Sequence, residues 1–350
     1  MTLVFRSLFL ALSISLSLSA LAEEESFSLD DVVEEPAAAR SATTPAANYK
    51  LFGRMDLTSE FTPYDRDRLT TDNQFKTQHM LIFLSVQAQE DLSFQAEIIN
   101  PESNFYFVNY ELGPRTNLQF GRILVPFGET DYYHHLYGGN VNLDGAGIMF
   151  PNIWAEKGVN LQLSWGKRTL DTYWVSGINK LDGSQEPILN QSSNDSLQGG
   201  GVRWTESMGM SFRYRVSYYY TEWRPNSPLH AAGLDVKYSL PTNWGALQSI
   251  DMMAGVAVVD IQKTNTENFQ KAGDFFEANF RLPKKHSIRL RYGTYDNDDR
   301  VEDEADLKTW SLAWKKRIRA LNLMLEHQWN MEQVNESEND ILRFMATVNF

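Results

Sequence analysis

From Tyr49 onward the chain alternates. Tyr49, Leu51, Gly53, Met55, Leu57 and Phe61 share one parity, and Lys50, Arg54, Asp56, Thr58 and Glu60 share the other. Successive side chains of a strand point to opposite faces, so this stretch predicts a strand with one apolar and one polar side. The texture persists along the chain. Met210, Phe212, Tyr214, Val216, Tyr218 and Tyr220 oppose Ser211, Arg213, Arg215 and Ser217, while Ile288, Leu290 and Tyr292 oppose Arg289 and Arg291. At the end, Leu342, Phe344, Ala346, Val348 and Phe350 oppose Arg343, Met345, Thr347 and Asn349.

About sixteen such segments are expected, each of roughly 9–11 residues or somewhat more. The first eight are Tyr49–Phe61, Phe75–Gln89, Leu92–Asn100, Phe105–Leu112, Arg115–Leu124, Glu156–Trp165, Thr169–Asn179 and Leu197–Glu206. The others are Met210–Trp223, His230–Leu240, Ala246–Ile261, Lys271–Leu282, His286–Asp296, Asp306–Arg317, Ala320–Gln333 and Asp340–Phe350. Their connections sort by length. Long polar stretches (62–74, 125–155, 180–196, 297–305) alternate with tight turns at Glu90-Asp91, Gly166–Arg168, Ser207–Gly209 and Ile318-Arg319. A soluble sandwich has no reason for that alternation, whereas a barrel spanning a bilayer has short turns at one rim and longer loops at the other. The fold expected is all-β: a transmembrane antiparallel β-barrel over 49–350, with its apolar face outward and its polar face inward. Trp165, Trp223, Trp244, Trp310 and Trp329 sit toward strand ends, as interfacial girdles require.

The N-terminus fits this. Arg6, the apolar run from Leu8 to Leu18 and the small-x-small site Ala20-Leu21-Ala22 predict a signal peptide over 1–22. Residues 23–48 are acidic, then rich in Ala and Pro, and read as a flexible leader. The formal charge of −13 changes the picture little. Seven acids against Arg40 put −6 in the leader, and seven acids against Arg300 put −6 in 296–306. Without Arg6 of the signal the mature chain carries −14, which leaves a body of only −2. Nothing is basic enough to suggest nucleic acid. There is no cysteine, so disulfides, thiolate metal sites and cysteine nucleophiles are excluded.

The stretch F-G-R-I-L-V-P-F-G, Phe120 to Gly128, resembles the strand-then-Pro-Phe-Gly segment of the phosphate-selective O/P-type porins and their relatives, on Gly121, Arg122, Pro126, Phe127 and Gly128. The closing Phe350 resembles the signal by which outer-membrane barrels are recognised for insertion. The resemblance implies a Gram-negative outer-membrane porin, passive diffusion of small polar or ionic solutes, and a homotrimer. Its implied partners are outer-membrane lipid, lipopolysaccharide and the barrel-assembly machinery, and it needs no cofactor. It also implies that the third extracellular loop, 125–155, folds inward. Glu129, Asp131 and Asp144 would then face a wall of Arg213, Arg215, Arg289 and Arg291 and set an anion-preferring constriction. The plainer expectation is that these arginines pair with Glu277, Asp235 and Glu326. Simple alternation from Phe120 points Arg122 at lipid, which a bulge at Gly121 or a subunit contact would accommodate.

Two clusters suggest cations. Asp131 with His134 and His135 could hold a metal, although adjacent residues rarely share a ligand geometry, so no metal site is expected. The acidic loop 296–306 could hold divalent cations at a lipopolysaccharide surface, but a hydrated, self-repelling loop is the expectation. The rival classes are a barrel enzyme of lipase or protease type, for which no nucleophile elbow stands out, and a secreted carbohydrate-binding β protein. Heat-modifiable gel mobility separates a barrel from the soluble case, and conductance separates a pore from an enzyme.

Overall fold

The computed structural model describes residues 48–61, 75–97, 105–131, 134–135, 137, 149–150, 154–176, 198–224, 226–262, 268–300, 307–332 and 340–350. The expected signal peptide and nearly all of the leader lie outside them. The strands are β1 (Asn48–Phe61), β2 (Phe75–Gln89), β3 (Leu92–Glu97), β4 (Tyr106–Gly113), β5 (Thr116–Leu124), β6 (Thr130–Asp131), β7 (His134–His135), β8 (Ala155–Trp165) and β9 (Arg168–Ser176). They continue as β10 (Gln198–Met208), β11 (Phe212–Arg224), β12 (Ser227–Trp244), β13 (Leu247–Ile261), β14 (Phe269–Leu282), β15 (His286–Asp296), β16 (Leu307–Ile318), β17 (Leu321–Glu332) and β18 (Ile341–Asn349). All but β6 and β7 join one closed antiparallel barrel of sixteen strands, each paired with its sequence neighbours.

Closure is made by β1 against β18, in register from Arg54↔Asn349 to Phe61↔Leu342. Gly53 and Phe350 complete it with reciprocal backbone hydrogen bonds of 2.8 and 3.0 Å. No barrel edge is left open, which a strand structure in lipid requires.

The connections sort as expected, with one exception. One rim has turns of two or three residues, and Gly166, Gly209 and Gly245 take φ of 63°, 66° and 58° in three of them. The opposite rim holds every long stretch, yet β11 and β12 are joined there by only Pro225 and Asn226. β12 also runs past both expected ends. Proline lacks a ladder N–H and is confined to strand starts, edges and irregularities. The structure keeps Pro228 near the strand start and Pro241 beside a register shift.

The faces sort by chemistry. Val216, Tyr218, Leu290, Trp310, Leu325 and Phe344 are exposed on the outer face. Ser217, Glu277, Arg291, Glu326, Gln328 and Arg343, of the opposite parity, are buried on the inner one. Phe276, Tyr292, Trp310 and Trp329 are directly opposed across β14 to β17, giving one arc of an outer aromatic belt. Trp223 corrects the girdle reading. It shares the parity of Tyr219 and Thr221, is 3% exposed, and donates to the Gln262 carbonyl at 3.1 Å.

The inner face is less polar than alternation suggests. Tyr173, Val175, Tyr219, Leu229, Ala231, Val259, Ile261 and Phe275 lie toward the long-loop rim and form a buried cluster. Met149, Phe150 and Trp154, from the segment joining β5 to β8, belong to the same cluster. Burying each large side chain contributes about 2 kcal/mol. A core therefore exists inside the barrel, and the β5–β8 connection builds part of it.

Candidate functional site

The chain leaves β5 at Leu124 and comes to rest against the inner faces of β11 and β12, four and five strands round the barrel. Val125 to Glu129 are all buried. Phe127 packs against Phe150 (centroids 5.0 Å) and Trp154 (5.8 Å), and Trp154 meets Tyr219 of β11 edge-on at 5.1 Å. Gly128, at φ +63°, donates its N–H to the Ser217 hydroxyl of β11 at 2.9 Å. A Cβ there would collide with the Tyr137 hydroxyl, so only glycine fits. Tyr137 in turn donates to the Asp235 carboxylate of β12 at 2.9 Å and meets Phe275 of β14 at 5.6 Å.

Glu129 carries the charge of this segment. Its carboxylate lies 2.9 Å from Arg213 and 2.5 Å from Arg215, both on the inner face of β11. Burial alone would raise its pKa, but the charges of Arg215, Arg213 and Lys237 outweigh it and hold the carboxyl below the usual carboxylate range. Tyr137 titrates well above an ordinary tyrosine, first because it is buried and next because Asp235 faces it. So Glu129 is an anion shared by two guanidinium groups, and Tyr137 is a hydrogen-bond donor.

Among the described residues, the other two expected arginines pair with carboxylates of the wall. Arg291 pairs with Glu277 at 2.5 Å, and Arg289 pairs with Glu326 at 2.8 Å. Arg343 of β18 takes the other oxygen of Glu326 at 2.8 Å. These five groups form a chain of alternating sign across β14, β15, β17 and β18, all nearly buried. The wall is thus divided: Arg213 and Arg215 face the loop, whereas Arg289 and Arg291 make the plainer pairing. Asp235 departs from both readings, since its partner is Tyr137.

The remaining candidates fall as follows. Asp144 lies outside the described residues. Asp131, His134 and His135 have described backbone only, with Asp131 opposite His134 in the β6–β7 hairpin. Arg122 is 8% exposed and its Nε donates to the Ala155 carbonyl at 3.2 Å. The expected bulge is absent from the ladder, which holds register through Gly121 on both sides. Gly121 instead takes φ +135°, beside the Tyr106 carbonyl. In the acidic loop, Asp298 pairs with Arg300, whose guanidinium lies 4.7 Å over the Phe269 ring. That half is therefore pinned to β14 rather than self-repelling.

Sequence reasoning missed Tyr137, Ser217, Lys237 and Arg343. Arg343 was on the polar parity of its strand and could have joined the wall set. Nothing marks Tyr137 within the run from Tyr132 to Tyr137, because alternation says nothing about contacts across a lumen.

No protein-family model matches the sequence, and no curated protein is similar to it. Solved structures are. The outer membrane channel DcaP of Acinetobacter baumannii matches at TM-score 0.60 and 10% identity, over 89% of this chain and 100% of that one. The anion-selective porin from Comamonas acidovorans matches at 0.58 and 11%, over 87% and 99%. OmpT of Vibrio cholerae, an outer membrane protein in its trimer form, matches at 0.58 and 8%, over 87% and 100%. At such identities the likeness is one of fold: this chain has the closed sixteen-strand barrel of the porins.

Proposed function

We propose that this chain is a Gram-negative outer-membrane porin that lets small polar or ionic solutes diffuse passively through the barrel. The observation that carries this is the placement of Glu129, brought by the β5–β8 connection onto Arg213 and Arg215 of the inner wall, four strands round the barrel from β5. A segment held across the interior in this way narrows a lumen, and the charges at its contact set which solutes pass. Two guanidinium groups share one carboxylate there, so the local balance favours anions. The reading requires no covalent chemistry, no metal and no cofactor. The barrel works as a homotrimer, in keeping with the trimer form of the OmpT neighbour, and sits in outer-membrane lipid and lipopolysaccharide. Residues 1–22 direct export, and the strand ending in Phe350 is the one read by the barrel-assembly machinery. The inward course of the whole third loop and kinship with the O/P-type family belong to this proposal too.

Planar-bilayer recordings of the purified protein in a KCl gradient test it. Stepwise conductance with a reversal potential displaced toward chloride is expected. Steps displaced toward potassium would remove the anion preference, and a protein that inserts but carries no current would remove the porin reading.

A further inference from the structure

The inner wall has two chemically different sectors, and only one of them enters the proposal above. On β11 to β18 the inner face carries arginine–carboxylate pairs. On β2 to β8, below the aromatic cluster, it carries amides. Gln87, Gln95, Asn109, Asn117, Gln119 and Gln162 all fall on the inward parity, opposite the exposed Tyr106, Tyr110, Phe120 and Val159. The ladder aligns them across neighbouring strands, with Asn109 beside Gln119 and Asn117 beside Gln162. Gln87 and Gln95 are exposed, and the other four are partly so. Of this sector's carboxylates, Glu97 and Glu156 are buried nearer the long-loop rim, whereas Glu111 is exposed at the tight-turn end, opposite Asn117. The two sectors meet at Asp171, which accepts from Gln162 at 3.0 Å and pairs with Arg203 at 2.9 Å.

An amide presents two donors and an acceptor with no net charge. A row of them complements groups that both donate and accept, which is to say hydroxyls. Resting on the porin reading, we propose that the lumen selects polyhydroxylated carboxylates, sugar acids as a class. Their hydroxyls would run along the amide arc while the carboxylate faces the arginines of β11. A plain fatty acid anion satisfies only the second sector, and a neutral sugar only the first.

The test compares gluconate with hexanoate, which share carbon number and charge but differ in hydroxyls. Gluconate is the bulkier ion, so sieving alone favours hexanoate. Reversal potentials of the full-length protein in bilayers with either potassium salt give the permeability ratio directly. Gluconate is expected to exceed hexanoate by at least about threefold, what one net hydrogen bond amounts to. The Gln95→Leu, Gln119→Leu, Gln162→Leu triple variant should bring that ratio below one while KCl conductance persists. Hexanoate equal to or ahead of gluconate in the unmodified protein overturns this inference and leaves the porin reading standing. Absence of any KCl current overturns both.

Discussion

At the scale of single residues, Glu129 and Gly121 behave differently and predict differently. Glu129 is a carboxylate shared by Arg213 and Arg215, so Glu129→Gln removes a negative charge from beside both guanidinium groups. One unit charge at roughly 7 Å through water amounts to about 0.6 kcal/mol, so chloride-over-potassium permeability should rise on the order of threefold, read from the reversal potential. The pH dependence follows from the same group. Its docked pKa lies below the ordinary 4.5, so the attachment is fully present above 4.5 and drains only as pH falls through the depressed value. The Glu129 attachment should therefore change conductance only as pH falls below 4.5. A transition confined to neutral pH, with none below 4.5, would mean that Glu129 does not set the conductance. Gly121 is a backbone matter. At φ +135°, with Tyr106 and Phe107 against it, Gly121→Ala should destabilise the barrel by about 1–3 kcal/mol, seen as a lower temperature for losing the folded gel band.

At the scale of elements, strands were legible because their evidence is local. β2 and β15 match their expected ends, Phe75 to Gln89 and His286 to Asp296, since parity and turn residues sit in the same short stretch. β12, expected over His230–Leu240, runs from Ser227 to Trp244, with Pro228 and Pro241 inside it. What parity could not supply is partnership. It placed Arg289, Arg291 and Arg343 on the inner face but left open whether they meet a loop or each other. Trp223 shows a similar limit, because its position near a strand end suggested an interface while its parity already pointed inward. The Tyr137–Asp235 contact joins groups far apart in sequence and was invisible. Within the charged chain across β14, β15, β17 and β18, Glu326 is the link shared by two arginines. Glu326→Gln removes the carboxylate that Arg289 and Arg343 share in a buried site and should cost about 3 kcal/mol, measured by thermal loss of β-sheet circular dichroism in detergent.

At the scale of the whole molecule, the arrangement is an inside-out one in which adjacent residues of one strand face opposite media. Arg215 and Val216 show this most directly: the first pairs with Glu129 on the inner face, and the second is 47% exposed on the outer wall. A guanidinium is therefore native at one position and should be intolerable at the next. Val216→Arg puts a charge on the lipid side of a central strand, where such substitutions cost about 2–4 kcal/mol near the bilayer midplane. Gln95→Arg puts the same group on the inner face, where water and an exposed amide sector receive it. Refolding into lipid vesicles, scored by heat-modifiable mobility, should fall steeply for Val216→Arg and stay near the unmodified level for Gln95→Arg. A soluble barrel with an ordinary surface would reverse the order or show no difference, because its exposed outer wall would already be in water. Equal yields would thus deny the bilayer as the solvent of the outer face, and with it the reason for the loop-lined interior to act as a passage.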